Sequence, residues 1–456
     1  MKKYGYAVVG VLLFFSCLKE NEYVQTEKER DIIVNKWIYN NMSMYYYWSE
    51  VLPFDLNYEQ KPDAFFQSLL FKQGDEDRFS WILENTQEYQ DFLNGIKYSF
   101  GLEYVLIYED SLFNRICGII KYVTPDSPAS RANIKRGDIF YKIDNIEIDI
   151  NNYELLLLKK NAIYTFKNFE EKKSVDIELI AEKNVENPIF YKNIYEIENH
   201  KIGYLIYNMF IEDAGDGSQS YLNDLIGTFS FFKQEKITEL ILDLRYNPGG
   251  LLDLAVKLSS MISNTDSSKI ALKLEYNKQI MSVLNNNEKF IKFSHHNPES
   301  SIGNQLKHIY IIIGSQTASS SEAVINCLRP YMPITLIGTP SYGKNFGSML
   351  LQLDQDQLKW IMQPVVVKIY NCKGESDYKN GFIPDIIINE LNYPLIELGN
   401  LNEPILYQAI SLITNKDVSQ SISYKKQEKK IHLNLKLNYE RPMISPPSRK
   451  NIMQNL

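Results

Sequence analysis

Three short stretches carry residue types able to do acyl-transfer chemistry. Ser319 stands in Gly314-Ser315-Gln316-Thr317-Ala318-Ser319-Ser320-Ser321-Glu322-Ala323, a serine cluster running into a helical pattern. A hydroxyl at a helix N-terminus gains from the helix dipole when it becomes an alkoxide. The same serines also suit plain capping, with Ser320 or Ser321 as N-cap. Lys344 lies in Gly338-Thr339-Pro340-Ser341-Tyr342-Gly343-Lys344-Asn345-Phe346-Gly347-Ser348. A lysine there is either a solvated loop charge or a desolvated amine, its pKa lowered until it accepts a proton from serine. Gly249 and Gly250 close Asp243-Leu244-Arg245-Tyr246-Asn247-Pro248-Gly249-Gly250. Paired glycines at a helix start leave N–H groups open to an incoming oxygen, as an oxyanion hole requires. The same four residues, Asn-Pro-Gly-Gly, also make a good tight turn anywhere.

Other chemistries find little support. His200, His295, His296, His308 and His432 show no ligand spacing, and His295-His296 falls in a polar, loop-like stretch. Cys117, Cys327 and Cys372 are single and widely spaced, which suits buried small hydrophobes rather than a metal site or disulfide framework. No metal and no cofactor is expected. The net charge of −7, with both signs mixed along the chain, gives no nucleic-acid surface.

These loops need strands and helices to hold them. At 456 residues, 44% of them apolar, the chain has room for two to four domains with real cores. From residue 200 onwards strands and helices alternate: strands over 202–206, 239–244, 308–313 and 333–338, helices over about 220–230, 251–262, 321–328 and 405–413. Two of the chemical loops directly follow buried strands, where an open α/β sheet places its sites. Residues 26–95 read as helical, with Val34, Ile38, Met42 and Tyr45 in register and a second helix capped by Asp63. Between about 98 and 185 short strands and turn signals dominate. Lys2 and Lys3, an apolar run over 6–15 and Ser16-Cys17 describe an export signal, too short to span a bilayer. Cys17 stands where a lipoprotein signal places its acylated cysteine, the alternative being an ordinary cleaved signal or a short anchor.

Two resemblances sharpen these expectations. Ser127-Pro128-Ala129-Ser130-Arg131-Ala132-Asn133-Ile134-Lys135-Arg136-Gly137-Asp138-Ile139 resembles the PDZ signature, with Asn133 where a left-handed glycine is usual. Ser99-Phe100-Gly101-Leu102 would then be its groove loop, with Phe100, Gly101 and Leu102 against an extended peptide. DLRYNPGG, TASSSE and YGKNFG, in that order, resemble the core motifs of the C-terminal-processing (tail-specific) peptidases of family S41. The resemblance extends over most of residues 100–390, including Gly381-Phe382-Ile383-Pro384-Asp385. It implies Ser319 as nucleophile, Lys344 as base, and an oxyanion hole from Gly249 or Gly250 with Ser320. Many relatives carry a lysine-orienting Gln four residues after the lysine; Ser348 stands there.

The fold class so implied is a multi-domain α/β chain. A ClpP/crotonase-like protease core over 186–415 would carry an inserted PDZ-like, β-rich domain over 98–185. Around them are expected a signal over 1–17, a tether with a helical N-terminal domain over 18–97, and a polar tail over 416–456. The implied function is a Ser-Lys endopeptidase cleaving unfolded or C-terminally tagged polypeptides, held in the cell envelope by a lipid on Cys17. The alternative is an inactive protein of the same fold that binds peptides or another ligand.

Overall fold

The computed structural model describes residues 26–84, 91, 96–109, 114–168, 173–294, 298–355 and 358–415. Cys17, the signal, the tail over 416–456 and the His295-His296 pair lie outside them.

At the centre is a six-stranded sheet. Its strands run in the order Ile189–Ile197, His200–Tyr207, Glu239–Asp243, Ile309–Ile313, Ile334–Gly338 and Ile386–Ile387. Every pairing after the first is parallel. Parallel strands are covered on both faces, and these read as near-continuous apolar runs for that reason. Alternate residues serve the two faces. Leu205, Leu240, Leu242, Ile309 and Ile311 pack on helices Ser220–Gln234, Leu252–Ile262 and Ser320–Leu328. Tyr204, Ile206, Ile241, Ile312 and Ile337 pack on the apolar face of helix Pro404–Thr414. Each expected strand and helix of this region is present, within a residue or two at most ends.

Residues 102–180 form a separate antiparallel sheet in the order Leu102–Tyr108, Ile116–Val123, Ile139–Ile143, Asn161–Asn168 and Lys173–Ile180. Its core contains Phe100, Leu102, Ile120, Ala129, Phe140, Tyr164 and Leu179. The signature stretch folds as its residues dictate. Pro128 opens helix Pro128–Arg131, Asn133 takes φ 62°, and Gly137 at φ 91° turns the chain into Ile139–Ile143.

The N-terminal helices do not form a core of their own. Helix Glu27–Tyr45 begins at a Thr26 capping box. The next helix, Pro62–Ser68, starts two residues earlier than expected, with Lys61 rather than Asp63 at the N-cap and proline in the first turn. Val34, Ile38, Met42, Phe65 and Phe66 share one core with Phe346, Leu353, Trp360 and Met362. Strand Trp81–Glu84 pairs antiparallel with Leu358–Gln363, which pairs in turn with Leu351–Gln355. The helical region is thus welded to the C-terminal half by a sheet that the sequence reading did not foresee. Among the described residues, no helix is long and apolar enough to cross a membrane, and no cluster of three metal-ligating side chains occurs.

Candidate active site

Three neighbouring parallel strands, Glu239–Asp243, Ile309–Ile313 and Ile334–Gly338, end side by side. The three chemical loops leave from those ends, so the sheet order brings together what 95 residues of sequence separate (Gly249 to Lys344). Backbone bonds lace them: Ala318 N–H donates to the Asn247 carbonyl at 3.1 Å, and Tyr342 N–H to the Thr317 carbonyl at 2.9 Å. The Ser320 hydroxyl donates to the Gly250 carbonyl at 2.7 Å, and that of Ser321 to the Asn247 carbonyl at 3.0 Å.

Ser319 sits at the N-cap of helix Ser320–Leu328 with φ 54° and ψ −115°. That backbone is strained for a residue with a side chain and recurs at sites where geometry is held for function. The strain is stabilised by Glu322, three residues on. Its carboxylate, fully buried, accepts the Ser319 N–H at 3.0 Å, the Ser341 hydroxyl at 2.6 Å, the Gly343 N–H at 2.7 Å and the Lys344 N–H at 2.7 Å. One side chain therefore bolts the serine turn to the lysine loop. Burial pushes the Glu322 carboxyl up, against the downward pull of those four donors. Sequence reasoning quoted Glu322 within the motif but gave it no role; its N3 position in a capping box was the available signal.

Lys344 is 6% exposed. Burial pushes its amine down to about 8, while the carboxylates of Glu322 and Asp77 pull the other way. Its Nζ lies 5.5 Å from the centroid of the Phe79 ring. Ser348 is close in sequence, but its buried hydroxyl has no hydrogen-bond partner among the described residues, so it does not hold the lysine as a glutamine would.

The two glycines differ. Gly249, at φ 106°, passes so near Ser319 that a Cβ there would stand 2.8 Å from the Ser319 Cβ and 2.9 Å from the Ala318 carbonyl oxygen. Its N–H is already donated to Asn247 Oδ1 at 2.8 Å. The N–H groups of Gly250 and Ser320, by contrast, have no acceptor among the described residues. The open pair is thus Gly250 with Ser320.

The Phe100-Gly101-Leu102 loop is differently placed. Phe100 and Leu102 are buried in the core of the 102–180 sheet, and Gly101 N–H donates to Ser99 Oγ at 3.2 Å. Neither side chain is presented outward for a peptide.

A buried ionic network joins that sheet to the Gly249-Gly250 loop. Arg136 donates to the Tyr246 hydroxyl at 2.6 Å and to Glu390 at 2.7 Å. Tyr246 also donates to Glu390 at 2.8 Å, and Arg245 bridges Asp243, Glu390 and Glu403. Lys121 reaches Gln316 in the serine loop and lies 4.9 Å over the Tyr246 ring.

Parts of the chain match known proteins. Residues 201–388 match the model of peptidase family S41, and residues 34–81 match that of the peptidase S41 N-terminal domain. A carboxy-terminal-processing protease of Bartonella bacilliformis is 25% identical over 60% of this chain and 59% of its own length. A protein of Staphylococcus aureus named as a CtpA-like serine protease is 24% identical over 59% of this chain and 49% of its own. The chain thus spans about half to three-fifths of the length of these curated relatives. A solved Bacteroides fragilis chain assigned to the S41 proteases superposes with a TM-score of 0.70 at 27% identity, covering 84% of this chain and 98% of that one.

Proposed function

Because the chain belongs to peptidase family S41, we propose that it is a serine endopeptidase working through a Ser319–Lys344 dyad on polypeptides. The observation that carries this reading is the Glu322 bolt, which fixes a strained serine turn and a buried lysine loop to one another. A lysine kept only as a loop charge has no reason to be buried with a depressed pKa.

The chemistry runs as acyl transfer. Neutral Lys344 takes the proton of Ser319 Oγ as that oxygen attacks a peptide carbonyl. The oxyanion of the tetrahedral intermediate is met by the Gly250 and Ser320 N–H groups, each such donor being worth roughly 10²–10³ in rate. Lys344 then passes its proton to the departing amine. A water deprotonated by the same lysine hydrolyses the ester on Ser319. Gly249 contributes through its missing side chain, which lets the loop lie against Ser319.

The remaining parts of the reading follow from sequence and relatives. The 102–180 sheet is taken as PDZ-like, delivering unfolded or C-terminally tagged chains, with its edge strand Leu102–Tyr108 open to an added strand. Cys17 is taken as lipidated, which would hold the enzyme on a membrane in the cell envelope, periplasmic or surface side.

The test uses protein beginning after Cys17, incubated with casein, fragments being read by mass spectrometry. Wild type is expected to cut, and Ser319→Ala and Lys344→Ala to leave casein whole while still melting cooperatively as folded proteins. Full activity in either variant would overturn the dyad. Tight peptide capture without cleavage by wild type would instead favour an inactive binding protein.

A further inference from the structure

A base needs its amine held, and the loop carrying Lys344 does not supply the holder: Ser348, at the position of the usual glutamine, has a hydroxyl without a partner among the described residues. Besides Glu322, what surrounds the lysine comes from the N-terminal region, 265 residues earlier in the chain. Arg78 Nη2 donates to the carbonyl oxygen of Gly343 at 2.8 Å and to that of Lys379 at 2.7 Å. Gly343 immediately precedes the lysine, so this fork pins its backbone. The Arg78 guanidinium also lies 4.8 Å over the Phe79 ring. Phe79, 4% exposed, has Lys344 Nζ over that same ring. Asp77, 1% exposed, is itself immobilised: its carboxylate accepts the Tyr46 hydroxyl at 2.7 Å, the Phe79 N–H at 3.1 Å and the Ser80 N–H at 2.9 Å.

These three residues answer three separate needs. A neutral amine must be kept out of water, yet the ammonium formed after proton transfer must be tolerated. An aromatic face does both, being apolar and attractive to a cation. A fixed carboxylate nearby favours the charged form. The charged groups around the amine are Glu322 from helix Ser320–Leu328 and Asp77 and Arg78 from the N-terminal region. Lys379 is engaged with Asp75 and Glu76.

We propose that Asp77, Arg78 and Phe79 are the positioning residues of Lys344: Arg78 fixes its backbone, the Phe79 ring seats its amine, and Asp77 supplies the counter-charge once it is protonated. This rests on the reading of Lys344 as the base. It assigns to the N-terminal region a direct part in the reaction, where the sequence suggested only a helical appendage.

The experiment pairs kinetics on casein with NMR titration of isotopically labelled lysine side chains, Lys344 being identified by its loss in Lys344→Met. Asp77→Asn keeps the shape of the side chain and removes the charge. It is expected to move the Lys344 titration midpoint, and with it the rising limb of kcat/KM, to lower pH by roughly half a unit or more. Phe79→Leu and Arg78→Ala are expected to lower kcat at least about tenfold with KM little changed at a temperature where both variants remain fully folded, as misplacement of a reacting group does. A residue acting only in folding would move the melting temperature and leave the midpoint alone. An unmoved midpoint in Asp77→Asn, with kcat of Phe79→Leu within about twofold of wild type, would overturn the proposal even while Ser319→Ala is dead. Should wild type fail to cut, the peptidase reading falls, and the Asp77→Asn midpoint still decides whether this carboxylate faces the amine. Should Arg78→Ala fail to fold, the Asp77 titration and the Phe79 kinetics decide.

Discussion

A single methyl group at Gly249 would have nowhere to go. It would meet Ser319 Cβ and the Ala318 carbonyl below 3 Å, on a backbone at φ 106° that side chains rarely adopt. Gly249→Ala is expected to destabilise the fold by about 1–3 kcal/mol and to reduce kcat more than KM, because the displaced atom is the Cβ of Ser319, the proposed nucleophile. Thermal melts and steady-state kinetics on one preparation check both. Lys344 makes the opposite trade. Its amine titrates near 8 in the fold and near 10.5 unfolded, so keeping it there as an ammonium below pH 8 costs the fold up to about 3 kcal/mol. The unfolded chain binds the extra proton between pH 8 and 10.5, so the penalty fades as pH rises through that window. Lys344→Met should therefore be inactive yet more stable at pH 7, with the gain shrinking towards pH 10.5 in denaturant titrations. With Lys344 as the proposed base, kcat/KM of wild type should climb with pH through about 8, where its amine loses the proton.

At the scale of elements, helix Ser320–Leu328 is held at its start by a carboxylate that belongs equally to the next loop. Glu322→Gln offers one acceptor oxygen and turns an amide N–H towards backbone donors. A loss of about 2–4 kcal/mol is expected, with activity falling further than stability; urea unfolding and casein cleavage separate the two. This bolt also marks how far the sequence could be read. The parallel strands were legible because apolar runs such as Ile309–Ile313 are bounded by glycine and polar turns, and the helices because Ala255, Leu258 and Ile262 recur on one face, although Leu251, read with them, is an exposed N-cap. Ser319, Lys344 and the glycine pair were legible through motif and order. Which glycine keeps a free N–H was not, since that depends on where the Asn247 side chain turns. The local pairing of Leu351–Gln355 with Leu358–Gln363 was missed, and the pairing of Leu358–Gln363 with Trp81–Glu84 could not be read, since that partner lies far away in sequence and nothing local announces it. Asp77, Arg78 and Phe79 were invisible for the same reason.

Across the whole molecule, the 102–180 sheet is keyed to the core through Arg136, Glu390 and Tyr246, next to the loop of Gly249 and Gly250. Burial works to raise the Glu390 carboxyl, but Arg136 and Arg245 outweigh it and hold it at about 2. A depressed carboxyl contributes its stabilisation above the unfolded value of about 4.3 and loses it as pH falls through the folded value. Acidification from about pH 4.3 to 2 should therefore loosen this joint, and Glu390→Gln should loosen it at neutral pH; limited proteolysis at the boundary between the sheet and the core would report both. The pairing of Trp81–Glu84 with Leu358–Gln363 carries a different consequence, one of timing. A chain emerging from its N-terminus makes Asp77, Arg78 and Phe79 early, then waits for some 265 residues before the lysine they surround is synthesised. Until the last third has emerged and closed against the first, there is no seated amine. Read as a peptidase, such a chain is born harmless to its neighbours and to itself, and becomes a cutting machine only when these two distant segments meet.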